Sequence, residues 1–371
     1  MKTKASLIGA ALMAIEGGAH AQSGVAVFGQ VDTFVGRVAN LAGANALEKP
    51  TSGVTGGGMT TSNFGFRGRE DLGDGLSAAF ELSSFVRTDT GALGRSDAIG
   101  PPVNVTADPY FSRSSWVGVG HARYGSLRLG NLTTFMRIHA LTTNAFGAST
   151  TFSPINLVTF VGGPLSGGTT WTNQVVYDSP VLGGFSFSVA AAAAEGQGKR
   201  NVGAQLSYRR DDLSLGFAWQ DVKKTPLTFA DGTSRAQTRS WLLSGAYDFK
   251  WAKLFANVGA IHDGGTPAAP ADQDHRLWSL SGAIPVGVGQ VLIGFASRRT
   301  GDLVAPVPAS SPGGNISRRV TSIGYDHFLS KRTDVYVMVM NDRTATRTLP
   351  APPRRVEASA TSFGVGIRHS F

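Results

Sequence analysis

The residues that usually carry chemistry are present but dispersed. His121, His139, His262, His275, His327 and His369 lie far apart, and no two have a metal-ligand spacing of the HExxH kind. Asp263, Asp272 and Asp274 share one segment, yet it lacks the twelve-residue calcium pattern with its central Gly and terminal Glu. Gly56-Gly57-Gly58 and Gly162-Gly163 open no strand-loop-helix unit that would cradle a phosphate. Serines are plentiful, but none sits in a GxSxG nucleophile elbow. There is no cysteine. No catalytic residue, metal site or cofactor is expected. Lys and Arg total 34 against 25 acids, but they fall singly or in local pairs such as Arg209-Arg210 and Lys223-Lys224. No basic stripe for nucleic acid emerges.

The elements around these residues have the period of strands. Val25, Val27, Val31 and Val35 share a face, with Gln30 and Asp32 opposite. Leu76, Ala78, Phe80 and Leu82 alternate with Ser77, Glu81 and Ser83. The pattern returns in Phe185-Val189, Val202-Tyr208, Leu213-Trp219, Trp241-Phe249 and Val335-Val339. Charged residues are 16% of 371, low against roughly 25% in soluble domains. No run of about 20 apolar residues reads as a membrane helix, so contact with lipid would be made by strands.

At the N-terminus, Lys2 and Lys4 precede the apolar run Ala5-Ile15, and Ala19-His20-Ala21 fits the small-x-small cleavage rule. A signal peptide over 1-21 is expected, with the mature chain, 22-371, as one domain. Spacers alternate between tight (Glu70-Gly75, Ser179-Gly184, Arg210-Asp212, Pro285-Gly289, Ser330-Thr333) and long (Ala39-Gly58, Thr88-Pro109, Asp263-His275, Arg299-Ser317, Asp342-Glu357). Short turns on one side and long loops on the other indicate an all-β, antiparallel, up-and-down transmembrane barrel. At roughly 44 residues per hairpin the chain holds about 16 strands. Apolar rows should face lipid and polar rows enclose water. Phe371 then sits in the interfacial aromatic girdle.

Several segments carry a family resemblance. FGFRGREDLGDGL (64-76), GSLRLGN (125-131), NQVVYDSPVLGGFSF (173-187), IGYDHFLSKRTDVY (323-336) and the terminal strand ending in Phe371 resemble the general trimeric porins of Gram-negative bacteria, beta-proteobacterial type. The resemblance implies a 16-stranded outer-membrane barrel, three per assembly, passing small hydrophilic solutes by diffusion. It implies that an extracellular loop, here about 131-170, folds into the lumen. It makes Phe371 the signal read by the outer-membrane assembly machinery.

The sequence departs from the family at the constriction. Family members carry an acid before a Phe-Gly step, facing wall arginines; here Asn144 and Ala145 precede Phe146-Gly147, and no acid lies between Asp108 and Asp178. Asn63 stands for one usual arginine and Thr170 for another. Arg113 is the best remaining match. With Arg137 and His139 it leaves positive charge, so a weak to moderate anion preference is expected. Phe146 reads as a packing residue holding the loop to the wall. The rival readings are a channel for one substrate class and a surface adhesin or receptor acting through its long loops.

Overall fold

A computed structural model describes residues 24-39, 41, 50-94, 109-160, 168-194, 200-223, 227-228, 234-265, 272-301, 316-348 and 354-371. The expected signal peptide lies outside the described residues.

In chain order the elements are β1 (Gly24–Val38), β2 (Thr51–Gly56), β3 (Asn63–Gly73), β4 (Leu76–Phe85), β5 (Ser114–His121), β6 (Gly125–Thr133), α1 (Phe135–Thr142), α2 (Pro154–Thr159), β7 (Thr170–Asp178) and β8 (Phe185–Ala192). Then follow β9 (Asn201–Arg210), β10 (Leu213–Val222), β11 (Leu227–Thr228), β12 (Ser234–Asp248), β13 (Lys253–Gly265), β14 (Asp272–Val286), β15 (Gly289–Thr300), β16 (Ile316–Phe328), β17 (Thr333–Thr348) and β18 (Arg354–Ser370). Every pairing is antiparallel between neighbours, and β18 returns to β1, with Val31 opposite His369 and Val35 opposite Val365. The sheet is therefore closed.

Two segments are not spanning strands of their own. β3 pairs the first half of β1 and β2 the second, so they are one wall strand broken at residues 57-62. β11 is a two-residue stub beside β12, while β10 pairs β12 directly. Sixteen spanning strands remain. The tight turns follow from their residues: Gly73, Asp74 and Gly75 all have positive φ, which Gly adopts freely and Asp tolerates.

The faces are inverted relative to a soluble protein. Val25, Val35, Leu280, Phe363 and Val365 are more than half exposed, whereas Asp32, Arg318, Asp326 and Asp342 on the opposite parity are fully buried. Such a sheet fits a lipid exterior and a polar interior.

Two expected long spacers are largely strand. β13 and β14 run to Gly265 and from Asp272, and β17 and β18 run to Thr348 and from Arg354. Their ends carry Arg, Asn, Thr and Asp on the outward parity. The hydrophobic alternation stops at the edge of the apolar zone, but the hydrogen-bond ladder continues beyond it.

Candidate functional site

The segment between β6 and β7 carries α1 and α2 and lies against the inner face of the wall. Three groups of contacts hold it there, each made by inward-parity residues.

The first is the break in the second wall strand. The buried Asp32 carboxylate accepts the Met59 and Thr60 N–H groups, both at 2.7 Å, and the Tyr336 hydroxyl at 2.5 Å. Ser62 Oγ accepts the Asp32 N–H at 2.8 Å. This fixes the backbone at 57-62, and Gly57 offers its carbonyl to the Thr150 and Thr151 N–H groups at 3.2 Å. Nearby, Phe152 packs on Phe34 with centroids 5.4 Å apart.

On β12 to β14, Asn257 donates to the Thr143 carbonyl at 2.8 Å and accepts from the Thr143 hydroxyl at 2.9 Å. Ser281 Oγ receives the Ala145 N–H at 3.1 Å. The third group caps the end of α2, where Arg298 Nη1 donates to the Val158 carbonyl at 3.0 Å and Arg318 Nη1 to that of Leu157.

Within this frame the sequence-derived residues separate into two sets. Asn63, Arg113, Arg137 and Thr170 line one space of about 200 Å³, with Gln30, Thr60, Thr61, Thr150 and Thr169. The Arg137 guanidinium also lies 5.1 Å from the centre of the Phe160 ring. His139, Asn144, Phe146 and Gly147 are instead seated in the loop and its contact with the wall. Asn144 is an internal staple, donating to the Ala140 and Gly147 carbonyls at 2.6 and 3.0 Å and accepting from the Phe146 N–H at 2.7 Å. Phe146 is fully buried against Gly294, where a Cβ would stand 2.7 Å from its ring. Gly147 takes a φ of 51°, as the turn requires. His139 fits over Gly216, with Ser244 Oγ 3.2 Å from Nδ1. Burial lowers its pKa from the usual 6.5 to about 4, so the ring adds no charge near neutral pH.

One residue escaped the sequence reading. Glu81 of β4 points inward and pairs with Arg113 at 3.0 Å, and Ser83 Oγ accepts from the same guanidinium nitrogen at 3.1 Å. The signal lies in the polar row Ser77-Glu81-Ser83, whereas the family resemblance points to an acid on the loop. A buried His275 also bridges Thr300 at 2.8 Å and Asp263 at 3.1 Å. His275 is 2% exposed, so this trio ties strands together and offers no surface to a substrate.

The comparisons agree with this architecture. The family model described as Gram-negative porin matches residues 9-347. Outer membrane porin protein 32 of Delftia acidovorans is 30% identical over 398 residues, covering 99% of this chain and 100% of the relative. An outer membrane porin protein of Bordetella pertussis is 27% identical over 411 residues, with 99% and 100% covered. Among solved structures, an anion-selective porin from Comamonas acidovorans superposes with a TM-score of 0.72 at 24% identity, covering 94% of this chain and 100% of that one. OmpT of Vibrio cholerae in its trimer form gives 0.64 at 14%, covering 94% and 99%. A closed sixteen-stranded sheet with an apolar exterior, and a family match over nearly its whole length, have one reading: the chain belongs to the Gram-negative porins and forms an outer-membrane channel.

Proposed function

We propose that the channel passes small hydrophilic solutes passively, prefers anions, and selects at the space bounded by Asn63, Arg113, Arg137 and Thr170. One observation carries this reading. Two arginines line that space, and no carboxylate lines it among the described residues. Hydroxyl and amide groups of Thr60, Thr61, Asn63 and Thr169 supply neutral hydrogen-bond partners for a passing hydrated ion. Glu81 stands behind Arg113 and offsets part of its field, which argues for a moderate preference rather than a strict one. The solved porin of Comamonas acidovorans is described as anion-selective, in keeping with this.

The same reading includes a trimer, a leader over 1-21 removed on export, and Phe371 as the mark read by the assembly machinery. It assigns the chain no catalytic step. The deciding experiment is the reversal potential of single channels in a KCl gradient. Chloride preference is expected, stronger at about 0.1 M than at 1 M salt because screening shortens the reach of both arginines. A cation-preferring reversal potential would overturn the assignment.

A further inference from the structure

On the outer face, strand register assembles a basic cluster that the linear sequence scatters. Arg276 of β14 stands directly opposite Arg299 of β15. Arg319 of β16 stands directly opposite Arg343 of β17. The pairs adjoin, because Arg299 faces Ser317, two residues from Arg319 on the same face. All four arginines are exposed. They continue the outward rows that hold Trp278, Leu280, Ile293, Ile323 and Val339 nearer the middle of the wall. The result is one basic band across four neighbouring strands, on the long-loop side, directly above the apolar zone. The Trp278 and Phe295 rings, 5.0 Å apart, mark its lower edge.

Like charges directly opposite on adjacent strands destabilise a sheet, and here the arrangement occurs twice side by side. Among the described residues none of the four arginines pairs with a carboxylate. Arg343 donates to Asn341 Oδ1 at 2.8 Å, and the acid two residues from Arg276 on the same face, Asp274, lies 2.9 Å from His262. Guanidinium groups bind phosphate oxygens in a two-pronged geometry, and anionic headgroups collect basic side chains at a membrane surface. A second copy meeting this face about a twofold axis would bring an identical band and be repelled; a neutral lipid surface would leave the charges uncompensated.

We propose that this band is a docking surface for phosphorylated lipid headgroups of the leaflet on the long-loop side. The test uses the full-length chain in maltoside detergent, titrated with phosphatidic acid or phosphatidylcholine and read by native mass spectrometry. Phosphatidic acid should be retained at least about tenfold more tightly than phosphatidylcholine. The variant Arg276→Ser/Arg299→Ser/Arg319→Ser/Arg343→Ser should lose that difference at unchanged conductance, since these side chains point away from the lumen. Lysine at the same four positions should keep part of it, because charge survives and the two-pronged geometry does not. If the fourfold serine variant does not fold, Arg276→Ser/Arg299→Ser and Arg319→Ser/Arg343→Ser decide, each with a partial loss. Equal retention of both lipids by the wild type would overturn the proposal. So would undiminished retention by the serine variants, or complete displacement of phosphatidic acid by millimolar inorganic phosphate, which would mark a free-phosphate site instead.

Discussion

Arg318 clasps Asp342 through two parallel hydrogen bonds, Nε to Oδ1 at 3.0 Å and Nη2 to Oδ2 at 2.8 Å, with both side chains wholly buried. The remaining nitrogen, Nη1, holds the Leu157 carbonyl at the end of α2. The carbonyls ending a helix carry partial negative charge, so a guanidinium is the natural cap. Asp342 also accepts the Leu41 N–H at 3.2 Å. The pair thus anchors the segment between β6 and β7 to the wall. Asp342→Asn strips Arg318 of its counter-charge where water does not reach; breaking one partner out of a buried pair costs about 3–5 kcal/mol. The heat-modifiable gel transition should move to lower temperature and open-channel current should become noisier. A quiet channel with the wild-type transition would remove the clamp from this account.

The charge balance at the constriction is separately testable. Arg113 and Arg137 face the space, while Glu81 reaches it only through Arg113. Glu81→Gln should therefore strengthen anion preference, and Arg113→Gln or Arg137→Gln should weaken it. The pair at 3.0 Å interacts by roughly 1 kcal/mol in bulk water and by several at a protein wall, enough to shift a permeability ratio several-fold. Reversal potentials of the three variants measure it. A Glu81→Gln channel that turned toward cations would refute the assigned roles.

How legible all this was in the sequence depends on the range of the interaction. Strand alternation is local, so the rows Val25-Val35 and Leu213-Trp219 announced the strands directly; which face meets lipid rested on the export signal, the long loops and aromatics such as Phe249, Trp251 and Phe371 near strand ends. The extent of β17 and β18 was hidden because Arg343 and Glu357 continue an outward row without being apolar. Pairings between residues distant in sequence were hidden for another reason. Tyr336 and Asp32 lie 304 positions apart, and Arg318 and Leu157 lie 161 apart; only barrel closure and the inward fold of the loop bring them together. Asn63, Arg113 and Thr170 came from family resemblance and Arg137 from its charge; the four line one space. His139 carried no local sign that Gly216, on β10, leaves room for its ring.

His139 makes the pH response predictable. Its folded pKa of about 4 lies below the ordinary 6.5, chiefly through burial. A base with a lowered folded pKa contributes stability that is fully present above the ordinary value. That stability is lost as pH falls toward the folded value, because only the unseated ring takes a proton in that window. Above about pH 7.5 the ring is neutral in either state, and since the seated ring stays neutral well below that, reversal potential should be flat from about pH 8 to 6.5 as far as His139 is concerned. Between about 6.5 and 4 the seat of α1 on β10 and β12 should weaken, seen as growing current noise, with no further loss below. His139→Gln should abolish this acid-induced noise. Equal noise in variant and wild type would place the acid sensitivity elsewhere.

Phe371 and Gly29 make a last claim about closure. Phe371 exchanges backbone hydrogen bonds with Gly29 at 3.1 and 3.2 Å, and its ring covers the glycine on the outer face, where a Cβ would stand 2.5 Å from the ring. The seam between β18 and β1 is therefore completed by Phe371, with Gln30 donating to Ser370 Oγ at 3.1 Å beside it. Two substitutions separate the ring from its seat. Phe371→Ala removes the apolar cover but leaves the backbone bonds. Gly29→Val keeps the ring but evicts it, and β-branched bulk in a filled notch typically costs about 1–3 kcal/mol. Both should lower the temperature of the heat-modifiable transition without altering conductance, because the notch faces away from the lumen. If Gly29→Val melted as the wild type does, the ring would not seal the finished wall, and the part of Phe371 would be confined to the assembly role proposed above.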